Sequence, residues 1–326
     1  MAFVADWDGY AEVYVIHADG TGLVGITDNT TVDTAPKWSP DGQRLAFIHD
    51  PGRRPTLMVF NPADSSSSFV PADVDIFFDL VWSPTGQHVV LLSGYDLFAV
   101  DVLTGEALSL TGEAGFELEL PNLSPEGDRL VVAGYSIELG PPENRLFVVN
   151  LDGSGMTELR FRAGDARWPS WHPLKDEILF EGEVEGEGVG LYVATLDGSI
   201  SKLDASPNEA GSLPAWSPDG TMIAYIVGEP DRGVTGESRD SLHVATASED
   251  IVEAVLTAGV GGQSDLRVYR HYWAPGSRHI AYTVTNPTRG PAVDIFVLDI
   301  CKRTSVLVAE AVKAYPDLSW RPVAEH

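Results

Sequence analysis

A single cysteine, Cys301, occurs in 326 residues, which excludes an internal disulfide framework and any site built from several thiolates. Its neighbours Val297, Leu298 and Ile300 place it in a strand, as a small packed residue rather than a nucleophile. Lysine is also scarce. Five of the 21 Lys and Arg residues are Lys, against 48 Asp and Glu. The net charge of -27 and pI near 4.4 repel phosphate backbones, so nucleic acid is not an expected partner. A salty habitat and a GC-rich genome account for this bias equally well. No window approaches 18 consecutive apolar residues, no stretch has a helical period, and the N-terminal MAFVADWDGYAEVYV lacks a basic region. No membrane insertion, helical domain or signal peptide is expected.

What is present is a repeat. With 44% hydrophobic residues the chain can bury a full core, and a Trp-x-Pro element recurs at Trp38, Trp82, Trp171, Trp216, Trp273 and Trp320, with Leu123 in the same place once. Successive copies lie 44, 41, 48, 45, 57 and 47 residues apart, room for four short strands and their turns. After an element comes an alternating strand, as at Arg44 to Ile48 or Met222 to Val227. A β-branched and aromatic strand follows, as at Arg145 to Leu151, then a brief fourth one, as at Ile200 to Leu203. A lone four-stranded meander leaves its faces uncovered, whereas a ring of them packs face to face. Residues 2 to 30 hold three strands without an inner one, and Tyr315 to Trp320 is an inner strand alone. The expected fold is therefore all-β: a seven-bladed β-propeller of four-stranded antiparallel blades, closed by pairing of the C-terminal inner strand with the N-terminal three strands. The whole of 1–326 is expected to be one domain. Each Trp is expected to pack between blades, with Pro-Asp-Gly as the turn that follows.

The Pro-x-Trp-Ser-Pro-Asp-Gly stretches at Pro36 to Gly42 and Pro214 to Gly220, with their later Asp-Gly turns, resemble TolB-type propeller repeats over essentially the whole chain. TolB, as the family is known, has six blades and a separate N-terminal domain and binds a peptidoglycan-associated lipoprotein; the seven repeats here depart from that pattern. Seven-bladed relatives serve as gating domains of prolyl-oligopeptidase-like enzymes or as lyases with a metal in the ring. The resemblance implies a periplasmic or extracellular site if a leader has been removed, and a cytoplasmic one if Met1 is the native start. It says nothing decisive about activity.

No Gly-x-Ser-x-Gly nucleophile elbow occurs. The eight histidines are scattered singly, and only His271, two residues before Trp273, falls on an inner strand where other repeats place Pro or Leu. One channel-side histidine is no metal site, so no metal, no cofactor and no catalytic residue is assigned. The run Glu181 to Glu187 joins the second and third strands of one blade and reads as a solvated loop, with a cation site as the alternative. The segments leading into the inner strands converge on one mouth of the channel. They bring aromatics and cations there: Phe77, Arg167, Trp168, Arg267, Tyr269, Arg270, His271 and Tyr315. These are the candidate ligand-binding residues. The alternative is that the aromatics pack between blades and the arginines neutralise carboxylates. The long segments Glu229 to Ser241 and Thr257 to Leu266 should project from the same face.

The expected role is a monomeric, non-enzymatic binding propeller for a protein, a peptide or a saccharide. The alternatives are a lyase or hydrolase with its site in the same mouth, and a sensor domain of a larger receptor or kinase.

Overall fold

The computed structural model describes residues 1–52, 54–74, 80–112, 116–118, 121–136, 144–161, 163–203, 211–229, 239–246, 267–285, 292–312 and 317–322, with backbone alone at 116, 136, 163, 211, 229, 239, 240, 267 and 311. The described residues form strands and turns arranged as seven blades. Blade 1 runs Val32–Trp38, Leu45–Asp50, Thr56–Asn61, Ser66–Phe69 from axis to rim. Blade 4 is Ala163–Trp171, Glu177–Val184, Gly188–Thr195, Ile200–Leu203, and blade 6 is Arg267–Trp273, His279–Thr285, Val293–Asp299, Thr304–Val312. Blade 5 shows Gly211–Trp216, Met222–Glu229 and Arg239–Thr246, and the fourth strand expected at Val252 to Leu256 lies outside the described residues. Blades 2 and 3 occupy residues 80–109 and 116–158.

Blade 7 closes the ring. Ala2–Ala5 pairs antiparallel with Leu318–Ser319, Phe3 opposite Leu318 and Ala2 opposite Ser319, and continues outward through Glu12–Val15 and Val24–Gly25. Second strands such as Leu45–Asp50 are apolar on consecutive residues, because a blade between two neighbours is covered on both faces.

Each inner strand starts at one face, here the mouth face, and ends in a Trp-x-Pro turn at the other, the turn face. In the first such turn Ser39 Oγ donates to Asp41 Oδ1 (2.5 Å) and accepts from the Arg44 amide (2.9 Å), while Asp41 Oδ1 accepts from the Gln43 amide (3.0 Å). Gly42 supplies the left-handed φ of 65° that the turn needs. Ser217, Asp219 and Gly220 repeat the arrangement in blade 5.

Four of the tryptophans lie between blades, each against a side chain from the blade before. The guanidinium of Arg321 is 4.8 Å from the Trp38 ring, Arg44 5.1 Å from Trp82 and Arg129 5.4 Å from Trp171, and the His172 ring is 4.6 Å from Trp216. Trp82, Trp273 and Trp320 also donate their ring N–H to Lys37, Ala215 and Tyr272 carbonyls of the preceding blade.

Two local expectations are corrected. Cys301 is in an exposed turn and not in a strand. The strand ends at Asp299, whose carboxylate accepts from the Lys302 amide (3.1 Å) and turns the chain before Cys301 can pair. The acidic run is not a loop joining two strands: Glu181 to Val184 belong to the second strand of blade 4 and pair with Leu191 to Gly188 of the third. Alternation of small and apolar partners lets the ladder run to the hairpin, leaving only Glu185 to Glu187 in the turn.

Candidate functional site

The mouth is shaped by a repeated kink. Inner strands of blades 1, 4 and 5 carry a bulge at Ala35, Trp168 and Leu213, non-glycine residues held at left-handed φ of 51°, 49° and 53°. A proline follows each one; lacking an N–H, it breaks the ladder without orphaning a donor. The kink re-aims the residues on its mouth side. In blade 4, Arg167 Nε donates to Asp165 Oδ2 (2.7 Å), and Asp165 Oδ1 accepts from both the backbone and side-chain nitrogens of Asn144 in blade 3 (2.9 Å each). Arg167 is thereby anchored yet half exposed, beside a half-buried Trp168.

Blade 6 supplies the second group. Tyr269 is 51% exposed, and the Arg270 guanidinium stands 5.9 Å from its ring. His271 is only 8% exposed. Its Nε2 donates to the Leu213 carbonyl of blade 5 (2.8 Å), and burial pushes its pKa down to about 4, so the ring is neutral near pH 7. His271 therefore braces two blades from behind the mouth. Arg267 begins this strand, and nothing of its side chain is described; Phe77 and Tyr315 lie outside the described residues, as do most of the two long segments. The structure thus brings Arg167 and Trp168 to the mouth from blade 4 and Tyr269 and Arg270 from blade 6, with the inner strand of blade 5 between the two pairs.

A third group was not recognised as a unit in the sequence. Asp33, fully buried at the mouth end of blade 1, takes His49 Nδ1 at 2.7 Å and the Asn29 side-chain amide at 2.7 Å. Glu12 of blade 7 is buried alongside and accepts from the Asn29 backbone amide at 2.8 Å. Burial, with Asp33 close by, raises the Glu12 pKa above the usual carboxylate range. The sequence signal was Asp33 in its mouth segment. His49 faces Asp33 across the antiparallel pair of first and second strands within blade 1, whereas Glu12 comes from blade 7 and its approach depends on ring geometry.

Among the described residues no group of three or more His, Cys, Asp or Glu side chains is placed to hold a metal ion. A cavity of about 1040 Å³ lies away from the mouth, on the turn face between blades 2 and 3, rimmed by Asp101, Glu106, Asp128 and Asp152. Amides of Thr104 and Leu103 and the Gln87 side chain hold Asp101 at a pKa of about 2, so it stays ionised.

Residues 1–175 match the TolB beta-propeller domain family. The chain belongs to that family. A TolB homolog of Chlorobium luteolum is 31% identical over 160 residues, 48% of this chain and 35% of that relative, so the shared stretch spans about a third of the relative's length. Among solved structures, an oligogalacturonate lyase in complex with manganese superposes with a TM-score of 0.68 at 16% identity, over 91% of this chain and 84% of that one. A prolyl endopeptidase superposes with a TM-score of 0.68 at 15% identity, over 92% of this chain and 46% of that one. At such identities the likeness is one of fold, and this TolB-like propeller shares its frame with lyases and peptidases alike.

Proposed function

We propose that residues 1–326 work as one ring and as a non-enzymatic binding module that takes a protein or peptide partner at the mouth face. The observation that carries this reading is a partly exposed arginine next to an aromatic residue on two blades, Arg167 adjacent in sequence to Trp168 and Arg270 stacked at 5.9 Å on Tyr269. Arginine can clamp a carboxylate bidentately, and an aromatic face takes an apolar side chain. An acidic segment is therefore the preferred ligand in spite of the chain's net charge of -27. An anionic saccharide is the second reading. The same pairing of cation and flat ring suits it, and the frame is one that an oligogalacturonate lyase also uses.

The test replaces Arg167 and Arg270 with Ala, checks that melting is unchanged, and compares binding of acidic peptide and oligogalacturonate arrays. Loss of acidic ligands at low salt, with a smaller difference as ions screen the site, is the expected result. If the double variant keeps every ligand at full affinity, the mouth is not the site. A tightly held metal in elemental analysis would favour an enzyme.

A further inference from the structure

The described outer strands of five other blades are short: Val24–Gly25, Ser66–Phe69, Ala107–Ser109, Met156–Glu158 and Ile200–Leu203 have two to four residues. The outer strand of blade 6, Thr304–Val312, has nine. Long free edges are normally blunted, because their outward N–H and C=O groups template pairing with another chain. Here only the far half is covered. Beyond Leu307 the register shifts twice and the Trp7 ring N–H reaches the Glu310 carbonyl (3.4 Å), and Gly20 of blade 7 lies beside the Leu307 carbonyl and Val308, which bounds the open stretch at Leu307. The near half, Thr304 to Leu307, is regular, opposite Asp299 to Phe296, and ends its sheet. Val306 and Leu307 on it are 50% and 38% exposed.

The turn that leads into this edge is basic in a strongly acidic chain. Arg278 (2.9 Å), Lys302 (3.4 Å) and His279 (3.6 Å) share the single carboxylate of Asp299, and Arg303 has no ion-pair partner among the described residues. Arg278, Lys302 and Arg303 against Asp299 leave a local excess of positive charge.

We propose that Thr304 to Leu307 is a docking edge for an extended segment of a partner protein. The segment adds as a fifth strand, its carboxylates over Lys302 and Arg303 and its apolar side chains against Val306 and Leu307. Main-chain pairing supplies affinity in this mode, and the flanking charge selects the segment. A second copy is the poorer occupant. Antiparallel self-pairing of Thr304 to Leu307 sets Arg303 of each copy opposite Val308 of the other, with no carboxylate to receive it, and adds repulsion between two chains of charge -27.

The test uses fluorescein-labelled acetyl-EETVTVT-amide and its charge-reversed partner acetyl-KKTVTVT-amide on the whole chain. Anisotropy should show the acidic peptide binding roughly tenfold tighter at low salt, and amide hydrogen exchange should show new protection confined to the Ser305 to Leu307 edge. The pair Lys302→Gln and Arg303→Gly, the latter matched to the left-handed φ of 56° at Arg303, should erase the preference with melting unchanged. Should the double variant melt early, Arg303→Gly alone, at an exposed turn residue, reads the same preference. Equal binding of both peptides, no binding of either, or binding without protection of this edge overturns the proposal. So does a dimer in sedimentation that Leu307→Glu dissociates, since the edge would then belong to a second copy.

Discussion

At the turn face, Trp38, Trp82, Trp171 and Trp216 each meet a cation or imidazole of the preceding blade at 4.6–5.4 Å. At the mouth face, a few residues up the inner strands, the described side chains of blades 1, 4 and 6 make different contacts. Asp33 takes a histidine, Arg167 takes Asp165, and Arg270 lies against Tyr269. The difference shows how a repeat protein divides its residues. Positions that hold neighbouring blades together recur in nearly every copy, with Leu123 the exception, because every junction poses the same packing problem. Side chains on the mouth side of the kink that blades 1, 4 and 5 share pose no such common problem, so they are free to carry a site that exists once.

That contrast is most severely tested at the closure. Deleting residues 314–326 removes the partner of Phe3, the Arg321 guanidinium over Trp38, and the Ser319 hydroxyl that accepts from the Trp38 amide (2.9 Å). With large core side chains worth about 2–5 kcal/mol each against a whole-protein stability of roughly 5–15 kcal/mol, a cooperative thermal transition by circular dichroism should disappear. A truncated chain melting within a few degrees of the full one would contradict the closed ring.

Next comes the tryptophan itself. Trp82→Ala should cost about 3–5 kcal/mol in urea denaturation, because it loses the stacking of Arg44 and the bond to the Lys37 carbonyl together. Trp171→Leu should cost clearly less, since Leu123 fills the corresponding place in blade 3. Equal losses would mean that the junctions are not equivalent.

The smallest effect probes the mouth side. The unfolded His271 protonates below an ordinary value near 6.5, whereas the folded one resists until about 4. The unfolded chain thus binds the extra proton in that window. Stability is fully present above it and falls with pH, by about 2 kcal/mol at about pH 5. His271→Leu, the residue that Leu80 and Leu318 place at this position in their blades, should flatten that part of the pH profile of stability. An unchanged slope would assign the dependence to other groups.

The repeat was legible because it is built from local chemistry. Ser-Pro-Asp-Gly closes a turn by bonds between residues two to five apart, and the three strands at one end with one at the other already imply that the first and last segments pair, which the structure does with Phe3 opposite Leu318. Less legible was what stacks on the tryptophans. Arg44 and Arg129 follow their own turns by a few residues and look like strand-start cations until the next blade is in place. Cys301 departs from the strand its neighbours suggest for a related reason. Its apolar neighbours suit a strand, but the Asp299 carboxylate, bound to the Lys302 amide, ends that strand first.

By itself the sequence determined the number of blades, their order and their closure, since turns and strand pairing depend on residues close along the chain or on a pattern repeated seven times. Tertiary structure alone decided which unique side chains meet across blades: Glu12 of blade 7 with Asp33 of blade 1, His271 with Leu213, and the edge from Thr304 to Leu307 beside its basic turn. These meetings depend on how far blades rotate and where a strand outruns its neighbours. Those quantities follow from the packing of the whole ring, and no single repeat contains them.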